Sequence, residues 1–115
     1  MIQGGRMVKI NKELLKGSTN LLVLSLLQEE NMYGYQMIRK LSEKSNDVFE
    51  LQEGTLYPIL HDLEKKKFIE SFWEVENGRR RKYYKITKKG LRELESRESE
   101  WQVFSKTMNL VLGGK

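Results

Sequence analysis

The dipeptide Asn77-Gly78 stands between two short runs of strand-forming residues, at 71–75 and 82–87. Both residues accept the positive φ angles that a two-residue hairpin turn requires, so this stretch predicts a β-hairpin. Elsewhere in the chain the apolar residues recur at helical spacing. The predicted order is therefore helix, helix, helix, hairpin, helix, which is the order of a winged helix-turn-helix with a helical extension.

The first helical segment, residues 14–27, is too apolar for a helix with one face in water. It predicts a helix buried on several sides, bent at Gly17, with Ser18 or Thr19 able to cap its second part. A simple core helix is the preferred interpretation, and a helix that also lines a cavity between two copies of the chain is the alternative. The next helix is predicted to begin near Tyr33.

The third helix shows the clearest apolar stripe, formed by Leu56, Ile59, Leu60 and Leu63. If Thr55 were its N-cap, Pro58 would fall in the first turn, where no backbone N–H is needed. A start nearer Gln52 would instead require Pro58 to bend the helix. We favour a start close to Gly54.

A last helix is predicted to follow Gly90 and to reach about Leu112. Its apolar stripe is longer than so small a core needs, which favours association with a second copy of the chain. The predicted dimer interface consists of Leu94, Trp101, Phe104, Met108 and Val111. The expected fold class is α+β and mainly helical. A flexible lead-in at 1–10 precedes a winged helix-turn-helix DNA-binding domain at 11–89 and a C-terminal dimerisation helix at 90–112.

The charge balance favours a polyanionic partner. The chain has 21 Lys and Arg against 16 Asp and Glu, a net charge of +5, which suits nucleic acid first and an anionic membrane second. The absence of cysteine excludes disulfides and thiol catalysis, and a single histidine, His61, excludes a histidine-rich metal site. No apolar run approaches the about 18–20 residues of a membrane span, and no signal peptide is apparent. We expect a cytoplasmic protein without cofactor or metal.

Once its apolar stripe is buried, the third helix keeps one face available to DNA. In a helix-turn-helix the second helix of the motif enters the major groove, with its N-terminal part nearest the bases, and Gly54 would let a phosphate approach the backbone there. The residues predicted to contact DNA from this helix are Thr55, Tyr57, Pro58, His61 and Lys65. The alternative is a solvated face, and Asp62 and Glu64 argue against a helix that follows phosphates along its whole length.

A cluster of basic residues lies at the hairpin tip and in the strand after it: Arg79, Arg80, Arg81 and Lys82. Arginines there can bind phosphate oxygens in pairs or enter a narrow minor groove. A basic run alone is usually solvated surface, but its place directly after a helix pair favours DNA. Tyr83 and Tyr84 point to opposite faces of their strand. One is expected to pack on the core with Ile86, and the sequence leaves open which.

Three stretches together resemble PadR-type transcriptional regulators: YGYQMIRKL, EGTLYPILHDLEKKKFIESFW and GRRRKYYKITKKG. The resemblance covers about residues 14–112, and the single helix after the wing is similar to the compact subfamily, in particular its multidrug-sensing members. It implies a homodimeric repressor of an efflux or detoxification operon that binds a palindromic operator. By matching motif, it implies that Tyr35, Thr55, Tyr57 and the arginines near Arg80 lie at DNA.

The same resemblance implies a site for planar aromatic compounds at the dimer centre. Trp101 matches the tryptophan of the multidrug-sensing members in context, and Leu14 and Leu21 match lining positions. Ser105 stands where an acidic residue is expected, which weakens any expected preference for cationic ligands. From pattern alone, Trp101 is favoured as a plain interface anchor, because aromatic residues dominate interface cores.

Two other functions are weaker alternatives. One is a winged-helix protein-interaction module whose basic wing binds an acidic protein. The other is an enzyme, for which nothing pairs His61 with a nucleophile and no glycine-rich loop has nucleotide-binding spacing. We expect no enzymatic activity.

Overall fold

The computed structural model describes residues 10–113 of the chain. Within that range the helices are α1 (Lys12–Lys16), α2 (Thr19–Glu29), α3 (Gly34–Lys44), α4 (Glu53–Lys65) and α5 (Lys88–Leu112), and the strands are β1 (Met32–Tyr33), β2 (Ile69–Glu76) and β3 (Arg79–Ile86). The predicted mainly helical fold is confirmed, and its wing is the hairpin formed by β2, β3 and the turn between them. The lead-in predicted at 1–10 lies outside the described residues, apart from Ile10.

The predicted bend in the first helix is a break between two helices. Gly17 ends α1, and Ser18 takes the N-cap position of α2 without a capping hydrogen bond from its side chain. The hydroxyl of Thr19 instead donates to the backbone oxygen of Lys16 across the break, at 3.0 Å. Helix α2 then contacts α3, α4, α5 and β3, so it is the buried helix that its apolar sequence predicted.

Helix α4 begins next to Gly54, as predicted, but its cap is different. The N-cap is Gln52, and Thr55 is already helical, with its N–H donating to the Gln52 carbonyl at 3.0 Å. Of the two starts that the sequence left open, the structure therefore has the one nearer Gln52. Pro58 lies inside the helix rather than in its first turn, and it has no N–H to donate to the carbonyl of Gly54, one turn earlier.

The predicted hairpin is confirmed, and a third strand joins it. Strands β2 and β3 pair in antiparallel fashion around Asn77 and Gly78, whose φ angles are 51° and 78°. Positive φ at both central residues is the geometry of a type I′ turn, which follows the natural twist of two paired strands. Strand β1, which the sequence did not predict, pairs with β3 on its other side and gives the sheet order β1-β3-β2.

One hydrophobic core joins the helices to the sheet. It is formed by Val23, Leu24, Leu26, Leu27, Met32, Met37, Leu41, Leu51, Leu56, Leu60, Leu63, Ile69, Tyr84 and Leu94. Tyr84 is thus the core tyrosine of the pair that the sequence left undecided, and Ile86 packs beside it. Helix α5 adds only Gly90 and Leu94 to the buried set, so most of its length runs past the core.

Candidate nucleic-acid interface

The exposed face of α4 contains every residue that was predicted to contact DNA from this helix. Thr55, Tyr57, Pro58, His61 and Lys65 are all exposed, and so is Tyr35 on α3. The opposite side of α4 is fixed by Leu56, Leu60 and Leu63, each at most 1% exposed. Burial of that stripe therefore directs the remaining face of α4 outward.

The ring of Tyr57 lies against Gly34, the first residue of α3. A Cβ at position 34 would overlap the Tyr57 hydroxyl, so the tyrosine ring can occupy this position only because residue 34 is glycine. The backbone around Gly54 is open by contrast, since nothing lies within 4 Å of the place where a Cβ would be. An uncovered backbone at the start of a helix suits the approach of a phosphate.

A groove of about 380 Å³ joins the helix pair to the wing. Its lining residues are Tyr33, Gly34, Tyr35, Tyr57, Arg79, Arg81, Lys82 and Tyr84. The structure thus brings the predicted tyrosines of α3 and α4 together with three of the four predicted wing cations. The fourth, Arg80, lies over the ring of Trp73, with its guanidinium carbon 4.5 Å from the ring centre.

Aromatic rings accompany the other cations of this surface. Arg81 lies 4.5 Å from the ring centre of Tyr33, and Arg39 lies 5.8 Å from that of Tyr35. Such contacts hold the long side chains in position while their N–H groups stay available. Tyr33, Arg39 and Trp73 were not predicted from the sequence to lie at this surface. The Asn77-Gly78 turn could have indicated the place of Trp73. A two-residue turn fixes the strand register, and this register puts Trp73 on the same face of the hairpin as Arg80.

Tyr83 lies on the outer face of the sheet, away from the helices. Its ring stacks on Phe72 at 5.8 Å and meets Tyr33 edge-on at 5.4 Å, and its hydroxyl donates to Glu76 at 3.1 Å. Desolvation, together with the bond to the Glu76 carboxylate, raises the pKa of Tyr83. Burial likewise raises the pKa of Tyr84, with a smaller contribution from Glu64.

The start of α5 is fastened to the turn between α4 and β2. The Thr87 hydroxyl donates to the carbonyl of Lys67 at 2.8 Å and accepts from the N–H of Gly90 at 3.0 Å. The Thr87 N–H donates to the Phe68 carbonyl at 3.0 Å. Since Thr87 is the N-cap of α5 and directly follows the wing, these bonds couple the last helix to both the wing and α4.

A second groove, of about 580 Å³, lies beside Trp101. It is lined by Ile10, Leu14, Leu15, Gly17, Ser18, Leu21, Phe49, Arg97, Glu100, Trp101 and Phe104. Three of the four residues predicted to hold a ligand therefore meet here, on α1, α2 and α5. Ser105 is partly buried and does not line the groove. Phe49 and Arg97 were not anticipated from the sequence.

The far half of α5 exposes a broad apolar surface. Trp101, Phe104, Met108 and Val111 are 48%, 59%, 42% and 77% exposed. Leu94, which was predicted at the dimer interface, is 1% exposed and belongs to the chain's own core. It therefore packs inside the protomer, and the exposed apolar surface lies beyond it along the helix.

Between residues 10 and 113, no helix is long and apolar enough to cross a membrane. The same residues contain no cluster of three or more histidine, aspartate or glutamate side chains that could hold a metal ion.

Solved structures of bacterial regulators share this fold. A transcriptional regulator from Clostridium thermocellum superposes with a TM-score of 0.80 at 32% identity, over 85% of this chain and 96% of that one. A PadR-like transcriptional regulator from Bacillus cereus does so with a TM-score of 0.79 at 35% identity, over 90% and 100%. A PadR family regulator from Eggerthella lenta reaches 0.78 at 33% identity, over 90% and 88%.

Sequence comparison leads to the same family. An uncharacterised protein of Lysinibacillus sphaericus is 32% identical over 106 residues, which cover 91% of this chain and 97% of that protein. The sequence model of the transcriptional regulator PadR-like family matches residues 23–96, which include α3, α4 and the wing. The chain therefore belongs to this family of winged-helix DNA-binding transcriptional regulators.

Proposed function

We propose that the chain is a homodimeric repressor that binds a palindromic operator. The observation that carries this proposal is the groove shared by α3, α4 and the wing, where Tyr35 and Tyr57 stand beside Lys82, with Arg80 on the same face of the hairpin as Lys82. A helix with a free N-terminal face fits a major groove, and cations on a neighbouring hairpin fit the phosphates beside it. A regulator of this kind acts where the DNA is, which for the bacterial relatives is the cytoplasm.

The dimer is supported by the far half of α5. None of the residues from Trp101 to the end of α5 at Leu112 belongs to the core, although many of them are large and apolar. An exposed apolar surface of this length is costly in water and typical of an interaction site. We therefore assign 11–89 to DNA binding and 90–112 to dimerisation, with Phe104, Met108 and Val111 at the interface.

Relief by a planar aromatic ligand is the third part of the proposal. The groove beside Trp101 is lined mainly by apolar side chains, Leu14 and Leu21 among them, and also by the charged residues Arg97 and Glu100. A ligand there can weaken DNA binding only if it prefers the arrangement of the dimer that does not fit the operator. The Thr87–Gly90 junction supplies a physical connection from α5 to the wing.

Selection of bound sequences from a random duplex pool, combined with light scattering, tests the core of the proposal. We expect a twofold mass, a palindromic consensus, and a log Kd that varies linearly with log salt, with a slope of about 0.9 per phosphate contacted. A monomer, or a chain that ignores duplexes at low salt, would refute it. Binding to acidic proteins instead would support the interaction module.

The ligand is tested separately by fluorescence. The chain has two tryptophans, Trp73 and Trp101, so a Trp73→Phe variant makes Trp101 the only indole. We expect planar dyes to quench its emission and to release the selected operator. If no dye of a broad set quenches the emission of Trp101 or releases the operator, the protein is a repressor that is not regulated by planar aromatic ligands.

A further inference from the structure

The strand register divides the wing cations between two faces of the hairpin. Residues directly opposite each other in an antiparallel pair share a face. Ile69 opposite Ile86, and Ser71 opposite Tyr84, face the helices and the core. The same face continues toward the hairpin tip with Trp73 opposite Lys82 and Val75 opposite Arg80. Arg80 and Lys82 therefore lie on the side of α4.

The outer face has a different charge balance. In the strand register each of its cations stands directly opposite a glutamate on the neighbouring strand: Lys85 opposite Glu70, Arg81 opposite Glu74, and Arg79 opposite Glu76. Opposite charges at directly facing positions attract each other and offset each other's field. The outer face of the hairpin is therefore close to neutral, although it contains two of the three consecutive arginines.

The helix-facing row has no such compensation within the hairpin. The β2 residues on this face are Ile69, Ser71, Trp73 and Val75, and none of them is acidic. Glu64 of α4 approaches from the helix side, but its carboxylate accepts a hydrogen bond from Ser71 at 2.6 Å, near the core end. Arg80 and Lys82 thus provide the uncompensated charge of the wing. Arg79 and Arg81 border the shared groove, and each stands opposite a glutamate in the strand register.

Trp73 holds one of these two cations. It is 55% exposed, and the Arg80 guanidinium lies over its ring at 4.5 Å. A guanidinium stacked on an indole loses side-chain freedom before any ligand arrives, while its N–H edges remain free to bind phosphate. An exposed tryptophan next to a cation near a hairpin tip thus has a positioning role that core packing does not explain.

We propose that Arg80 and Lys82 are the wing residues that bind the DNA backbone, and that Trp73 is a positioning residue that orients Arg80. The proposal deepens the proposed function and rests on it. It divides the four wing cations into two pairs: Arg80 and Lys82, which bind DNA, and Arg79 and Arg81, whose charges are offset by the glutamates opposite them. The run of basic residues in the sequence does not by itself show which of the four bind DNA.

Four matched variants test the division: Arg79→Gln, Arg80→Gln, Arg81→Gln and Lys82→Gln. Each removes one positive charge, so the net charge is the same in all four. Binding to a labelled mixed-sequence duplex is followed by anisotropy at several salt concentrations. Arg80→Gln and Lys82→Gln should each weaken binding by about tenfold and lower the salt slope by about one per wing. Arg79→Gln and Arg81→Gln should change the affinity by less than about twofold.

Equal losses from all four variants would overturn the division but leave DNA binding intact. Larger losses from Arg79→Gln or Arg81→Gln would overturn it as well. Failure of the unmodified chain to bind any duplex would instead refute the proposed function, so the two failures are distinguishable.

Trp73 is tested by a double-mutant cycle with Arg80. Trp73→Leu should weaken duplex binding by about two- to fivefold, and Trp73→Phe, which keeps an aromatic face, should retain most of the affinity. In the Arg80→Gln background, Trp73→Leu should have no further effect. An equal loss with and without Arg80, or a loss as large in Trp73→Phe, would show that Trp73 does not act through Arg80.

Discussion

Gly90 packs against the backbone carbonyl of Phe68, in the first turn of α5, and a Cβ at position 90 would overlap that oxygen. The same oxygen accepts hydrogen bonds from Thr87, through its N–H at 3.0 Å and its hydroxyl at 3.1 Å. Backbone cannot move aside as the end of a flexible side chain can. Gly90 and Phe68 therefore form the closest part of the junction between the wing and the last helix.

Gly90→Ala should destabilise the chain because the added methyl group forces α5 away from the sheet. We expect a loss of about 2 kcal/mol or more in the free energy of unfolding, measured with urea. Gly54→Ala is the matched control, since its Cβ would meet nothing within 4 Å. In a helix that change should be neutral or stabilising by up to about 1 kcal/mol. Equal stability of the two variants would contradict the packing described for Gly90.

Gly34→Ala should weaken DNA binding with little loss of stability. The new methyl group would overlap the Tyr57 hydroxyl, and the tyrosine ring, which is 44% exposed, can swing away from its place in the groove. We expect duplex affinity to fall by about tenfold, the range for loss of one good contact. Gly17→Ala, which meets nothing within 4 Å, is the control and should bind normally. Unchanged binding by Gly34→Ala would remove Tyr57 from the interface.

Leu94→Ala should destabilise the protomer itself. Leu94 is 1% exposed in the core, and truncation of a buried leucine costs about 2–5 kcal/mol. Urea unfolding at fixed protein concentration measures this loss. A loss below about 0.5 kcal/mol would mean that Leu94 is not a core residue, because surface substitutions typically stay within that range.

Phe104→Asp should separate the proposed dimer, because it places a charge in an apolar contact. Gln102→Asp adds the same charge to another exposed position of α5 and is the control. Light scattering at equal concentration should report a lower mass for Phe104→Asp alone. A dimer that survives Phe104→Asp would argue that the far half of α5 is not the contact.

Stability should fall at alkaline pH, and Tyr84 should account for part of the fall. Burial raises the pKa of Tyr84 above its ordinary value of 10.0, so the unfolded chain releases the phenol proton first. Above pH 10 the folded state therefore binds more protons than the unfolded state, and stability decreases as pH rises. Tyr84→Phe should flatten the dependence of the unfolding free energy between pH 9 and pH 11. An equally steep fall in the variant would contradict this role.

The hairpin and the helix stripes were predictable because their signals are local. Asn77 and Gly78 set both the turn and the register, and the apolar spacing of α4 defines its buried side. The cap of α4 was not predictable in the same way. Leu51 and Leu56 are both buried, at 6% and 0% exposure, and their burial sets the helix start at Glu53 in preference to a capping side chain at Thr55.

Other features depend on contacts distant in sequence. The two residues of β1 become a strand only by pairing with Tyr83 and Tyr84, about fifty positions later, and so short a segment has no pattern of its own. Leu94 and Trp101 recur at heptad spacing, yet only Leu94 reaches the core. The spacing of apolar residues does not distinguish a helix's own core from a partner's surface. The grooves at Tyr57 and Trp101 likewise depend on the folded arrangement.

The short strand β1 has a consequence for regulation. By pairing with β3 it ties the start of α3 directly to the wing, while Thr87 and Gly90 tie α5 to the end of α4. The chain is therefore braced at both ends of the surface that is proposed to bind DNA. If the chain forms the proposed dimer, we expect an effector bound at α5 to act chiefly on the spacing and angle between its two stiff halves.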